Sequence, residues 1–108
     1  MTAYSAKLGL YIDGEWLSGG GREVHSVLNP ATGAGQADLP LATAADLDRA
    51  LDAADRGFRE WRVVAPEGRA AILNKAAALI RERADAIARV ATMEQGKTFA
   101  EARGEVLA

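Results

Sequence analysis

At 108 residues the chain has room for one domain, and its net charge of −2, with acids and bases interspersed, offers no basic footprint for nucleic acid. It contains no cysteine, which excludes a disulfide framework, a thiolate metal site and a cysteine nucleophile within these residues; its one histidine, His25, excludes a histidine-pair metal site. No stretch approaches the ~20 apolar residues of a membrane span, and residues 1–9 lack the cationic and then apolar run of a leader. The expectation is a cytoplasmic protein with neither a membrane nor a nucleic-acid partner.

The first third of the chain is patterned for strands. Leu10-Tyr11-Ile12 and Glu15-Trp16-Leu17 flank Asp13-Gly14, a pair suited to the positive φ angles of a two-residue β-hairpin turn. Gly19-Gly20-Gly21 separates this hairpin from a strand over residues 22–28, where Val24, Ser26 and Leu28 share one face and His25 and Val27 the other. Asn29-Pro30-Ala31-Thr32-Gly33 reads as a turn, and residues 36–42 as a further strand that Pro40 confines to an edge or an end.

From Thr43 the period becomes helical. Thr43 and Asp46 form an N-terminal capping arrangement, and Leu47, Ala50, Leu51, Ala54, Phe58 and Trp61 make one apolar stripe. The i,i+4 pairs Asp52/Arg56 and Asp55/Arg59 belong to the other faces. Pro66 suits the first turn of a second helix, predicted to run unbroken to about Gln95 with Gly96 as its stop, ~45 Å in all. Thr98 and Glu101 open a third helix through Phe99, Ala102, Val106 and Leu107, with no closing Gly, Asn or Pro. An unfinished helix of this kind suggests the opening portion of a larger enzyme. About half the residues are hydrophobic, but much of that is alanine, which favours thin helices packed onto something else.

Few residues are placed for chemistry. On an unbroken second helix, Arg83 and Glu94 share the angular sector of Ile72 and Ala76. An inward Glu94 near the helix C-terminus, where the dipole disfavours a carboxylate, points either to a salt bridge or to a cation ligand. His25 reads as an ordinary strand residue, Trp16 and Trp61 as packing residues. Gly96-Lys97 lacks the glycine-rich lead of a phosphate loop, and Gly19-Gly20-Gly21 is not followed by a helix start.

Taken in order, Leu10-Tyr11-Ile12-Asp13-Gly14-Glu15-Trp16, Asn29-Pro30-Ala31-Thr32-Gly33, Ala53-Ala54 through Phe58 to Trp61, Glu94-Gln95-Gly96-Lys97 and Glu101-Ala102-Arg103-Gly104-Glu105-Val106 resemble the amino-terminal region of the aldehyde dehydrogenase superfamily. The wording of the last two segments is most similar to the bacterial succinate-semialdehyde and 2-oxoglutarate-semialdehyde dehydrogenase branch. The resemblance implies an α/β fold: an N-terminal hairpin and strands over residues 1–42, then two to three amphipathic helices over 43–108. Together these would be the outer part of a Rossmann-like cofactor-binding domain. It also implies oxidation of an aldehyde to a carboxylic acid with NAD or NADP, through a cysteine thiolate, a thiohemiacetal and a thioester hydrolysed with a glutamate's help. None of those groups matches a position here, so the 108 residues alone are expected to be inactive. The remainder of the enzyme chain would be the partner, and the complete enzyme a homo-oligomer. Some family members hold a monovalent cation, Na⁺ or K⁺, at positions that correspond to the carbonyls of Val27 and Leu28 and the side chain of Glu94. A second reading is a non-catalytic helical interaction module derived from such an enzyme.

Overall fold

The computed structural model describes residues 8–108, so the reading of residues 1–9 as free of a leader lies almost wholly outside the described residues. Strands β1 (Leu10–Ile12) and β2 (Glu15–Leu17) pair antiparallel with Ile12 opposite Glu15. Asp13 (φ 53°) and Gly14 (φ 81°) are both left-handed, the backbone that matches a two-residue turn to the strands' twist. Across the hairpin, the Tyr11 and Trp16 rings stand 5.1 Å apart between centroids. That pair lies on the open side, and Trp16 is 71% exposed rather than a core residue.

Strands β3 (Val24–Leu28) and β4 (Gly35–Pro40) form a separate antiparallel pair. The intervening turn is closed by the Asn29 carbonyl, which accepts from Gly33 N at 2.8 Å, and by Asn29 Oδ1, which accepts from Ala31 N at 2.9 Å. Val27 faces Ala37 and Leu28 faces Gly35, so Gln36 is an extra residue bulged out of β4.

Helix α1 (Ala44–Trp61) begins at Thr43 with the expected capping box. The predicted single helix from Pro66 to Gln95 is instead two, α2 (Pro66–Glu82) and α3 (Ala84–Gln95), separated at Arg83 (φ −100°, ψ 10°). Arg83 N donates to the carbonyls of both Leu79 and Ile80, a tightened last turn that ends α2 without proline or glycine. The change of direction lets Ala84 and Ala88 bury beside α4 (Phe99–Leu107), which buries Ala102. Three alanines allow a close helix approach, and that packing outweighs propensity for one straight helix. Gly96 (φ 79°) closes α3, and Thr98 with Glu101 caps α4 as expected.

The buried apolar side chains among the described residues are Ile12, Ala84, Ala88 and Ala102. The molecule measures 48 × 37 × 17 Å with a radius of gyration of 17.0 Å, against about 13 Å for a compact domain of this length. Its accessible surface is 8040 Å², against about 5,800 Å² for a compact monomer of this mass. Strands and helices thus lie in a thin layer with most of their apolar side chains exposed. The α/β class and the succession of strands and then helices stand as expected; the number of helices rises because one divides.

Candidate functional site

One concentration of polar groups lies where the hairpin of β3 and β4 meets the C-terminal end of α3. A helix leaves its last carbonyls without intrahelical donors. Here the Thr92 carbonyl accepts from Gly96 N at 2.9 Å, and the Met93 carbonyl accepts from Gln36 Nε2 at 2.9 Å. The bulge explains that second bond: it turns the Gln36 side chain out of the ladder and aims it at the helix end. Asn29 Nδ2 approaches Met93 Sδ at 4.0 Å, and a Cβ placed on Gly96 would stand 3.2 Å from Pro30 Cγ. The Asn-Pro turn therefore rests directly on the glycine that terminates α3.

Two oxygens in this joint, Gln36 Oε1 and Thr92 Oγ1, are buried without a hydrogen-bond partner among the described residues. The bulge also interrupts regular pairing at the step between Val27 and Leu28. The joint thus gathers oxygen acceptors at the negative end of a helix dipole. Val27 is half-buried, whereas Leu28 and Glu94 are exposed. Arg83, at the break, and Glu94 are both exposed, as are Ile72 and Ala76, whose sector they were expected to share. Among the described residues no three His, Cys, Asp or Glu side chains cluster as a metal site. The carbonyl, amide and hydroxyl oxygens gathered here suit a hard cation.

A second polar centre was not legible in the sequence. Arg22 Nε donates to Asp46 Oδ2 at 2.9 Å and Nη2 to Oδ1 at 2.7 Å, a bidentate pair; Nη1 donates to the Gly19 carbonyl at 2.7 Å. Asp46 Oδ2 also accepts from Thr43 N and Thr43 Oγ1, each at 2.9 Å. The Arg22 guanidinium and then the Thr43 backbone N–H hold the Asp46 carboxyl well below the usual carboxylate range, and Asp46 in turn raises Arg22. This pair ties the strand segment to the first turn of α1. Two more ion pairs continue it, Arg49 to Glu15 at 2.7 Å and Arg56 to Asp13 at 2.8 Å. Arg56 therefore reaches the hairpin tip rather than the expected Asp52, whereas Arg59 pairs with Asp55 as expected.

The remaining polar residues are committed to structure or to solvent. His25 is exposed in β3 opposite Leu39. Lys97 pairs with Glu105 of α4, and Arg103 with Asp85. Gly19, Gly20 and Gly21 all have positive φ, but they lead toward β3 and not into a helix. The described residues thus do not fit a dinucleotide pyrophosphate, which needs backbone N–H groups at a helix start after a glycine-rich turn.

The architecture is thus a two-stranded hairpin, a second antiparallel strand pair and four helices, of which α1 and α4 carry capping boxes. Residues 16–108 match the aldehyde dehydrogenase family. The chain belongs to that family. It is 41% identical over 106 residues to malonate-semialdehyde dehydrogenase 1 of Bacillus licheniformis, covering 98% of this chain and 22% of that protein. A solved succinate-semialdehyde dehydrogenase from Burkholderia pseudomallei superposes with a TM-score of 0.86 at 37% identity, over 93% of this chain and 21% of its own. Betaine aldehyde dehydrogenase from Staphylococcus aureus, solved with NAD⁺, gives a TM-score of 0.87 at 29% identity, over 94% and 21% respectively. The chain therefore spans about a fifth of the length of the relatives it matches.

Proposed function

We propose that these residues form the amino-terminal part of an NAD(P)-dependent aldehyde dehydrogenase that oxidises a small semialdehyde to a carboxylic acid in the cytoplasm. The observation that carries the reading is the match over nearly the whole chain, in sequence and in backbone, to about a fifth of the length of several such enzymes. Residues 1–42 and 43–108 are then two parts of one cofactor-binding domain, and the complete enzyme is a homo-oligomer. These residues bring no cysteine nucleophile and serve as scaffold. The test is a chimera in which this chain replaces the matched segment of the Bacillus licheniformis relative. Reduction of NAD⁺ or NADP⁺ with malonate semialdehyde at a rate near the parent's is expected, with none from the 108 residues alone. A folded but inactive chimera would refute the reading.

The same reading includes a monovalent-cation site, Na⁺ or K⁺, at Val27, Leu28 and Glu94. Three features support it: the bulge at Val27 and Leu28, the α3 C-terminus, and the unpartnered oxygens of Gln36 and Thr92. In the chimera, exchanging sodium for potassium should shift the thermal midpoint, and Glu94→Ala should abolish the shift. An identical midpoint in both salts for the parent would remove the site.

A further inference from the structure

Three ion pairs tie the amino-terminal strands to α1, on unequal terms. The Arg22–Asp46 pair is bidentate, and its side chains are 16% and 8% exposed. The Arg49–Glu15 and Arg56–Asp13 pairs each show one bond, at 2.7 and 2.8 Å, and every side chain in them is 40% or more exposed. Salt screens exposed pairs of this kind strongly and a buried bidentate pair little. The hairpin of β1 and β2 depends on the exposed kind. Its strands pair with each other and not with β3 or β4, and Ile12 is its one buried side chain among the described residues. The connection that follows is divided at Gly19. Arg22 Nη1 donates to the Gly19 carbonyl at 2.7 Å, and a Cβ on Gly20 would stand 2.7 Å from that same nitrogen, so the chain is packed around the guanidinium from there onward. Ser18 and the N–Cα bond of Gly19 lie on the hairpin side of that anchor. Gly19 has a φ of 76°, and a Cβ there would meet nothing within 4 Å. Without a Cβ it adopts either sign of φ at little cost, which makes this step a pivot.

We infer that the β1–β2 hairpin is a strap on a charge latch: it undocks from α1 by turning about Ser18 and Gly19 as ionic strength rises, while Arg22 and Asp46 hold the chain from Gly20 onward in place. Docked, Asp13 and Glu15 neutralise Arg56 and Arg49, which stand seven residues apart on one side of α1, about 10 Å along its axis. Undocking frees both arginines and moves Ile12 into water. A lone two-stranded hairpin is marginally stable in water, so its cross-strand bonds open once the latch is released and report the event. The β3–β4 hairpin behaves differently. Its tie to α3 is the neutral bond from Gln36 Nε2 to the Met93 carbonyl, which salt screens little. One chain therefore carries a salt-sensitive hairpin and a salt-insensitive one.

The test is amide hydrogen exchange read by mass spectrometry, in this chain and in the chimera, at about 0.1 and about 1 M NaCl, between which the screening length falls from about 10 Å to about 3 Å. Peptides covering residues 10–17 should exchange about two- to tenfold faster at the higher salt, the range that two exposed pairs allow. Peptides covering residues 24–40 and 44–61 in the same samples should not change. Arg49→Gln combined with Arg56→Gln should exchange fast over residues 10–17 at both salts. The charge swap Glu15→Arg with Arg49→Glu should keep the parent's salt response, which separates the latch from any general weakening by substitution. No salt response over residues 10–17 overturns the inference, as does equal acceleration in all three regions or a full response in the double glutamine variant. A response in this chain that is missing from the chimera overturns it for the complete enzyme. Activity is not read, so a folded but inactive chimera refutes the proposed function and leaves the strap untouched.

Discussion

Substituting Gly96 probes the joint between the Asn-Pro turn and α3 in two separable ways. Its φ of 79° places any other L-residue in the left-handed region, which costs about 1–2 kcal/mol. In addition, a Cβ there meets Pro30 Cγ at 3.2 Å, closer than relaxed packing, and a modest overpacking adds about 1 kcal/mol. Gly96→Ala should therefore destabilise the joint by about 2–3 kcal/mol, or roughly 30- to 150-fold in local opening. Gly33 supplies the control, since its φ is 71° and a Cβ there would meet nothing within 4 Å. The assay is native-state amide exchange in the chimera, read on the peptide that contains Gly96, whose N–H bonds to the Thr92 carbonyl. Pro30→Ala in the Gly96→Ala background should recover the steric part only, a coupling of about 1 kcal/mol in a double-mutant cycle. Acceleration no greater than for Gly33→Ala at its own turn, together with zero coupling to Pro30, would refute the packing argument.

The carboxyl of Asp46 titrates below its ordinary 3.8 in the folded chain. Its contribution is thus complete above pH 3.8 and is lost as the pH falls through the lowered value. Asp46→Asn should reduce α1 helicity by circular dichroism at pH 7, and the gap from the parent should close at low pH; a gap of constant size would contradict the ion-pair account. Ala88 is fully buried between α3 and α4, so Ala88→Leu should cost about 1–3 kcal/mol by overpacking, read as faster exchange along α3 and α4. The pair between Arg56 and Asp13 is half-exposed on both sides. Arg56→Ala should cost at most about 1 kcal/mol, an effect that 0.5 M salt removes when hairpin docking is followed by Trp16 fluorescence.

What the sequence announced was local. Asp13-Gly14, Asn29-Pro30, the two Thr-x-x-acid caps and Gly96 each specify their backbone within a few residues, and each appears as expected. What it concealed was set by distant partners. Arg22 and Asp46 are separated by 24 positions and neither departs from ordinary surface patterning. Gln36 looks like any strand residue until its register against Val27 and Leu28 makes it the bulge. The break at Arg83 carries no proline or glycine, and the apolar periodicity runs through it; it goes with the burial of Ala84 and Ala88 in α3 and Ala102 in α4, partners that sequence spacing does not reveal. The break also resets the helical phase between Ile72 and Glu94, so a wheel drawn across it does not relate their faces.

These two kinds of information explain how one layer keeps its shape with so little burial. Caps, turns and ion pairs use polar groups, and their geometry is complete within these residues. The bidentate pair of Arg22 and Asp46 and the bond from Gln36 to Met93 then fix the hairpins against the helices. Apolar stripes such as that of α1 remain exposed, since hydrophobic stabilisation comes from area removed from water and most of this area is not. Changes at caps and joints should therefore alter the form of the layer in this chain alone and in the chimera alike. Changes on the open stripes should leave this chain alone nearly unaffected and weaken the chimera. If Leu51→Asp destabilised both to the same degree, the division of labour between polar joints and apolar faces would be wrong.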